Sequence, residues 1–371
     1  MVNLNEIKKG NLGFGFMRLP RIDGNFDYEQ INKMVDKYLD SGYTHFDTAY
    51  VYPGAEVALR KSLVERHPRE NYQIATKLNI MTAKSAEDFP KLFNTSLERL
   101  GTDYVDFYLL HCITDGNANK FEEWGAWDFV SQLKKEGKVR HIGFSFHGSP
   151  MCLESVLEKH PETEFVQLQI NYLDWESKDV ASRKCYEIAR KYNKPIFIME
   201  PVKGGSLANE QVGITDVLKK EEPEASLSSW AMRFVAELEG VYVILSGMTT
   251  LEQLEDNLAT MKGLKPLTEH DKKLLQTVVD KLNAIPRIPC TTCGYCKPNC
   301  PQKIDIPTMI DIHNEYIVYN VLHSVTRRYK EWALRSSAPA GSCIACGSCE
   351  KHCPQNINII ETLEKVSDLL D

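Results

Sequence analysis

The sequence predicts an α/β chain: a parallel (β/α)8 barrel over its first three quarters, followed by a small α-helical domain. Three observations predict it. Short apolar, strand-like runs alternate with amphipathic helices up to about residue 285, the pattern of a parallel sheet covered by helices. Eight such units in about 250 residues close into a barrel far more often than they lie open. An open nucleotide-binding sheet would carry G-x-G-x-x-G after its first strand; here residues 12–16 (LGFGF) lack the third glycine and no helix follows directly. Beyond residue 285 the alternation stops and cysteines crowd together, so the domains are read as 1–285 and 286–371.

Residues 12–20 form a short glycine-containing strand, followed by a turn at Asp23-Gly24. Residues 27–41 are a helix, because Ile31, Met34, Val35, Tyr38 and Leu39 share one face. Asp27 with Gln30 resembles a capping box, and Gly42 follows as the terminating glycine. The next strand leads through Phe46 to Asp47, and a helix near 55–66 precedes the strand 72–78. Helix 85–100 stops at Gly101, strand 104–111 comes next, and a long loop 112–125 leads to helix 126–136. Strand 139–146 precedes a helix with Ser149 as N-cap and Pro150 at its first position. Strands at 165–172, 195–202 and 241–246 alternate with helices at 177–192, 226–237 and 250–261. Helix 270–282 closes the region, and the proline-stiffened stretch 283–289 links it to the cysteine-rich region.

Three successive strands finish on residues able to do acid–base work. Residues 44–52 (THFDTAYVY) end a half-buried strand on Asp47 and reach Tyr52; 72–78 carries Lys77 and 104–111 ends on His111. A buried carboxylate is costly unless paired, so Asp47 asks for a cation. In a parallel barrel all strand C-termini meet on one face, where active sites are built. His45, on the same strand face as Asp47, is read as barrel filling.

With 43% hydrophobic and 26% charged residues the composition is that of a globular protein. A net charge of −7 and the lack of a basic stripe exclude nucleic acid as partner. No apolar run approaches the roughly 20 residues that span a bilayer. The opening MVNLNEIKKG has no apolar signal region, and the chain is expected to stay in the cytoplasm.

Of the 11 cysteines, Cys112, Cys152 and Cys185 are scattered and the rest fall in two runs. Cys290, Cys293, Cys296, Cys300-Pro301 and Cys343, Cys346, Cys349, Cys353-Pro354 are both C-x2-C-x2-C-x3-C-P. Three thiolates spaced by two wrap one cubane, while the fourth reaches the other cluster. The spacing therefore predicts two [4Fe-4S] clusters, one on Cys290, Cys293, Cys296 and Cys353, the other on Cys343, Cys346, Cys349 and Cys300. Zinc sites, usually built from two C-x2-C pairs, fit poorly. Residues 306–332 between the runs are rich in helix signals, so the region looks like an α-helical ferredoxin domain. Ile304, Ile306, Ile357 and Ile359 are expected to shield the clusters from water.

Asp47-Thr-Ala-x-x-Tyr52, then Lys77 and His111, resembles the catalytic tetrad of the aldo-keto reductase superfamily, over about residues 10–285. With its cysteine tail the whole chain is similar to the iron–sulfur branch of that superfamily. The resemblance implies a TIM barrel and NAD(P)H-dependent reduction of a carbonyl, or the reverse oxidation of an alcohol. It implies Tyr52 as acid/base, Lys77 as the charge that lowers its pKa, Asp47 as counter-ion to Lys77, and His111 as carbonyl orienter. The chemistry needs these types, because a phenol is a poor acid at its ordinary pKa of about 10 unless a cation favours the phenolate.

The resemblance also implies cofactor contacts. Ser145 and Gln167 match positions that hold the nicotinamide carboxamide, with Asn171 as a neighbouring candidate. Met199 stands where an aromatic ring commonly stacks, and Gly204 and Gly205 are expected near the pyrophosphate. After the last strand come Ser246, Gly247, Met248, Gln253 and Asn257, with no Lys or Arg across 246–257. A 2′-phosphate there would lack charge-assisted hydrogen bonds and face Glu252 and Glu255, so NADH is preferred over NADPH.

Partners are expected to be a small carbonyl or alcohol and, for the clusters, a ferredoxin or flavoprotein. The alternative reading is a ferredoxin-linked reductase or electron-transfer subunit, in which the clusters feed the barrel site or a flavin there. Phe121, Trp124 and Trp127 either overhang the barrel mouth as an apolar substrate wall or pack as ordinary loop aromatics.

Overall fold

The structure, a computed structural model, describes residues 11–371 apart from Asp179, Val212, Thr291 and Trp332. The opening ten residues, Asp179 in the expected helix 177–192 and Trp332 at the end of the helix-rich stretch 306–332 therefore lie outside the described residues. The chain divides into two compact units, residues 1–203 with 228–271 and residues 204–227 with 272–371.

The first unit is built on eight parallel strands: β1 (Asn11–Gly15), β2 (His45–Asp47), β3 (Gln73–Leu78), β4 (Val105–Ile113), β5 (Val139–Phe146), β6 (Phe165–Gln169), β7 (Ile196–Met199) and β8 (Val241–Ser246). Each pairs with its neighbours in sequence and β1 pairs with β8, so the sheet closes into the expected barrel. The expected turn at Asp23-Gly24 is there: both have positive φ (50° and 80°) and join two short antiparallel strands, the conformation that tight hairpins need.

Alternation along the strands sorts side chains into two cores. Phe107, Leu109, Phe165, Phe197, Val243 and Leu245 fill the barrel interior. Their outward neighbours, among them Tyr108, Leu110, Val166, Ile198 and Ile244, pack under the surrounding helices. Gly143 is required where it stands, since a Cβ there would lie 2.6 Å from the carbonyl oxygen of Phe165. Across neighbouring strands Asp47 is level with Ala75, Lys77 with Leu109, and Ser145 with Gln167. The inward face therefore turns from apolar to polar over its last layer.

Several boundaries differ from the expected ones. β6 stops at Gln169, which leaves Asn171 in the following turn, and the helix expected over 177–192 runs Ser182–Lys191 behind a left-handed Ala181. The loop 112–125 contains a helix, Ala118–Glu123. Phe121 in it is fully buried, Trp127 packs on Phe144 and His160, and Trp124 packs on Phe89. These rings serve core packing, not an open wall.

The second unit is helical. Its helices Ile306–Tyr319, Leu322–Glu331 and Ile359–Leu370 enclose an apolar core. Ile304, Ile306, Met309, Tyr329, Ile357, Ile359 and Leu363 bury there together with Cys296 and Cys349. The first of these helices ends on a left-handed Asn320, whose N–H donates to the Tyr316 carbonyl. Among the described residues no helix is long and apolar enough to cross a membrane.

Candidate active site and cysteine sites

β2, β3 and β4 bring Asp47, Lys77 and His111 to the polar end of the barrel interior, and Tyr52 follows β2. The Lys77 ammonium is buried and donates to Asp47 Oδ1 at 2.7 Å, Asp47 Oδ2 at 2.8 Å and the Thr48 carbonyl at 2.7 Å. Three acceptors account for its three donors. It acts on Tyr52 through charge, with Nζ 5.3 Å from the centre of the Tyr52 ring. Burial pushes the Lys77 ammonium down, but the attraction of Asp47, then of Tyr52, outweighs this and holds it above the ordinary lysine value. Burial likewise pushes Tyr52 up, Lys77 pulls it back, and the net direction is upward. In this state the phenol keeps its proton at neutral pH.

β4 extends past His111 to Ile113, and its pairing with β5 shifts register between Leu110 and Ile113 around a left-handed Cys112 (φ 61°). Such a bulge re-aims side chains. The Cys112 N–H donates to Ser145 Oγ at 2.8 Å, which ties the bulge to β5. His111 packs edge-on against Tyr52, with ring centres 6.1 Å apart. Burial, then the charges of Lys77 and His147, hold its imidazole well below the ordinary value, so it is neutral. Asn79 fixes its tautomer. Asn79 Oδ1 accepts from the N–H groups of Met81 (2.9 Å) and Thr82 (3.2 Å), which turns its NH2 group to His111 Nδ1 at 3.4 Å. Nδ1 is then the acceptor, and the proton sits on Nε2.

Asn79 and Glu56 lie outside the residues expected from sequence. Asn79 follows Lys77 by two, the strand period, and that spacing is its only signal. Glu56, buried, accepts from Thr76 Oγ1 at 2.8 Å and pairs with Arg99 at 3.2 Å, bracing the residue before Lys77. His45 points into the barrel against Phe107 and Phe197, and neither ring nitrogen has a partner among the described residues. Burial, with Lys77 adding to it, lowers its pKa to about 3.

The expected nicotinamide contacts divide into free and occupied groups. Ser145 and Gln167 face each other in register, and the buried Gln167 Oε1 has no partner among the described residues. A carboxamide offers the N–H that this oxygen lacks and an oxygen for the Ser145 hydroxyl, so the pair fits a nicotinamide. The Asn171 amide is spent on Asp174 Oδ2 (2.8 Å), the Glu200 carbonyl (3.1 Å) and the Asp174 N–H (2.8 Å). Met199 ends β7, half-buried. Ser246 ends β8 and accepts from Asn257 at 2.9 Å; Met248 is buried, and Gln253 accepts from the Thr249 N–H at 2.7 Å. The Glu255 carboxylate is paired with Lys37. In the second unit Gly204 and Gly205 both have positive φ (67° and 101°).

The two cysteine runs fold alike. Left-handed residues recur at matching places: Thr292 and Ala345, Gly294 and Gly347, Lys303 and Asn356. Cys300, Cys343, Cys346 and Cys349 line one small cavity with Ile306, Ile344, Ile360 and Leu363. Cys290 lies within electrostatic reach of Cys293 and Cys353, and Cys296 of Cys290, Cys293 and also Cys349. The cavity gathers the second of the sets expected from the spacing, Cys300 with Cys343, Cys346 and Cys349. Among the described residues no three His, Cys, Asp or Glu side chains converge on a point for a single metal ion. Four thiols spread around a cavity with apolar walls fit a cubane better than a lone zinc.

A family model described as aldo/keto reductase family matches residues 11–280, and one described as 4Fe-4S dicluster domain matches residues 289–358. The chain is similar to the aldehyde reductase YPR1 of Saccharomyces cerevisiae, with 30% identity over 66% of this chain and 81% of that protein. It is similar to the methylglyoxal reductase DkgB of Salmonella typhi, with 29% identity over 59% of this chain and 78% of that protein. Among solved structures, an aldo-keto reductase from Klebsiella pneumoniae in complex with NADPH matches with a TM-score of 0.59 at 19% identity, over 72% of this chain and 90% of that one. At that identity the likeness shows the fold.

Proposed function

The chain belongs to the aldo/keto reductase family and carries a 4Fe-4S domain C-terminal to its barrel, and from that premise we propose that it reduces a small carbonyl compound with NAD(P)H, Tyr52 giving the proton. The observation that carries this is the Lys77 ammonium, saturated by Asp47 and Thr48 and set 5.3 Å from the Tyr52 ring. NAD(P)H, when bound, supplies a hydride to the carbonyl carbon. The neutral His111 donates its Nε2–H to the carbonyl oxygen and orients it. As negative charge grows there, Tyr52 gives its proton to the oxygen, and the phenolate left behind is stabilised by Lys77. Asp47 keeps that lysine charged and in place. Water then returns the proton to Tyr52, and in the reverse direction the phenolate is the base.

Ser145 and Gln167 would hold the carboxamide, and Met199, Ser246, Gly247, Met248, Gln253 and Asn257 the rest of the dinucleotide. NADH is the preferred cofactor, on the absence of Lys or Arg across 246–257. The relatives named as an aldehyde reductase and a methylglyoxal reductase support the carbonyl-reducing direction. The helical domain, read as 286–371, is proposed to hold two [4Fe-4S] clusters on the two cysteine sets. They would exchange single electrons with a ferredoxin or flavoprotein, in the cytoplasm.

Tyr52→Phe tests the barrel reading. It should lower kcat for aldehyde reduction by about 100-fold or more, while NADH affinity, read by fluorescence, and cluster absorbance stay as they are. Wild-type turnover in this variant would overturn the assignment.

A further inference from the structure

We propose that Arg18 recognises a carboxylate on the carbonyl substrate, with Glu200 holding its place until that substrate binds; this rests on the carbonyl-reductase reading.

The placement is specific. Arg18 lies just beyond β1, which pairs with β2, and the Phe16 N–H donates to the Asp47 carbonyl at 2.8 Å. The segment carrying Arg18 therefore leaves the barrel beside the strand that bears Asp47 and leads to Tyr52. Thr249 Oγ1 donates to the Arg18 carbonyl at 2.8 Å, which anchors the backbone. The guanidinium lies over Gly247, where a Cβ would come within 3.5 Å of Nη1. Glu200 is the first residue after β7. Its left-handed backbone (φ 58°) is held by Asn171, which donates to its carbonyl at 3.1 Å and is itself fixed by buried Asp174.

The pair is under-used. One Arg18 N–H reaches Glu200 Oε1 at a long 3.3 Å, and the remaining guanidinium donors have no partner among the described residues. Surface Arg183 offers a contrast, spending three donors on Glu176 and Glu187 at 2.7–3.0 Å. A half-buried guanidinium with unspent donors is ready to bind a carboxylate in fork geometry. The two charges also bear on the reacting group: Glu200 pushes the Tyr52 phenol up and Arg18 pulls it down. A carboxylate taken by Arg18 would thus sit close to the group that protonates the carbonyl oxygen, which defines the substrate class as aldehyde or keto acids of short chain.

The test compares succinic semialdehyde with neutral butanal on the holoenzyme with NADH. Wild type should favour the acid, and Arg18→Gln should lower the acid-to-neutral ratio of kcat/KM by about 10- to 100-fold, chiefly through KM. Arg18→Lys should recover only part of it, and Glu200→Gln should raise the ratio by freeing the fork. A second readout needs no turnover: succinate, but not succinamide, should raise the melting temperature of the NADH-loaded protein, and Arg18→Gln should abolish that shift. An unchanged ratio with no succinate shift overturns the proposal. So does an unchanged ratio with weakened NADH binding, which would give Arg18 to a dinucleotide phosphate. A succinate shift that depends on Arg18, in a protein reducing neither aldehyde, would sink the carbonyl reading and leave the carboxylate site standing.

Discussion

His111 can polarise a carbonyl only if the proton it shares with the substrate is on Nε2, and Asn79 puts it there by presenting its NH2 group to Nδ1. The chain of cause runs from two backbone N–H groups, through the Asn79 oxygen, to the imidazole. Because burial and two neighbouring positive or titratable groups keep the imidazole well below its ordinary value, wild-type kcat should show no acid limb near pH 6.5. Asn79→Asp replaces the donor by a carboxylate. That favours Nδ1–H and raises the imidazole pKa, so kcat should fall roughly tenfold at neutral pH. An acid limb should also appear as the ring becomes protonated on lowering the pH. A pH profile of Asn79→Asp superimposable on that of the wild type would show that the tautomer is set elsewhere.

At the scale of the strand, β2 places two ionisable residues on one inward face, and their fates differ by a single layer. Asp47 meets Lys77 at the polar end; His45, one layer deeper, meets only rings. With its pKa lowered to about 3, His45 stays neutral in the folded protein where the unfolded chain would take a proton. The unfolded state then binds more protons at every pH between the two values. Stability therefore falls as pH drops below the ordinary value of about 6.5, by about 1.4 kcal/mol per unit, or about 2 kcal/mol between pH 7 and pH 5. His45→Leu should remove that part of the acid sensitivity, seen in denaturant unfolding at the two pH values; an undiminished difference in the variant would refute it. The strands and the residues Asp47, Lys77 and His111 were legible because period-two patterning and an apolar-to-polar change are local features. The helix Ala118–Glu123 was not, since its identity depends on Phe121 finding a buried place in the barrel core. Glu56, Asn79 and the Arg18–Glu200 pair were equally hidden. Their deciding partners, Thr76 and Arg99 for Glu56, His111 for Asn79 and Glu200 for Arg18, come from distant elements, and only the two-residue spacing of Asn79 from Lys77 marks any of them locally.

At the scale of the whole chain, the question is whether two kinds of electron chemistry communicate. Hydride transfer moves two electrons together, while each cubane of the ferredoxin type carries one. On the proposed reading the barrel brings its own acid–base group in Tyr52, the Lys77 charge beside it and an unpartnered Gln167 oxygen for the carboxamide, all a self-sufficient reductase needs. The helical unit has two matched cysteine sets and an apolar core that would limit water around them. If the units act independently, NADH and then NADPH added anaerobically to protein holding about eight irons per chain should leave the broad cluster absorbance unchanged. Dithionite should bleach it in the same sample. We expect that outcome, because no residue described in the barrel site splits a hydride into single electrons. Bleaching by NADH would reverse the conclusion: a flavin or another one-electron relay would have to join the site, and the ferredoxin-linked reading would replace the plain reductase.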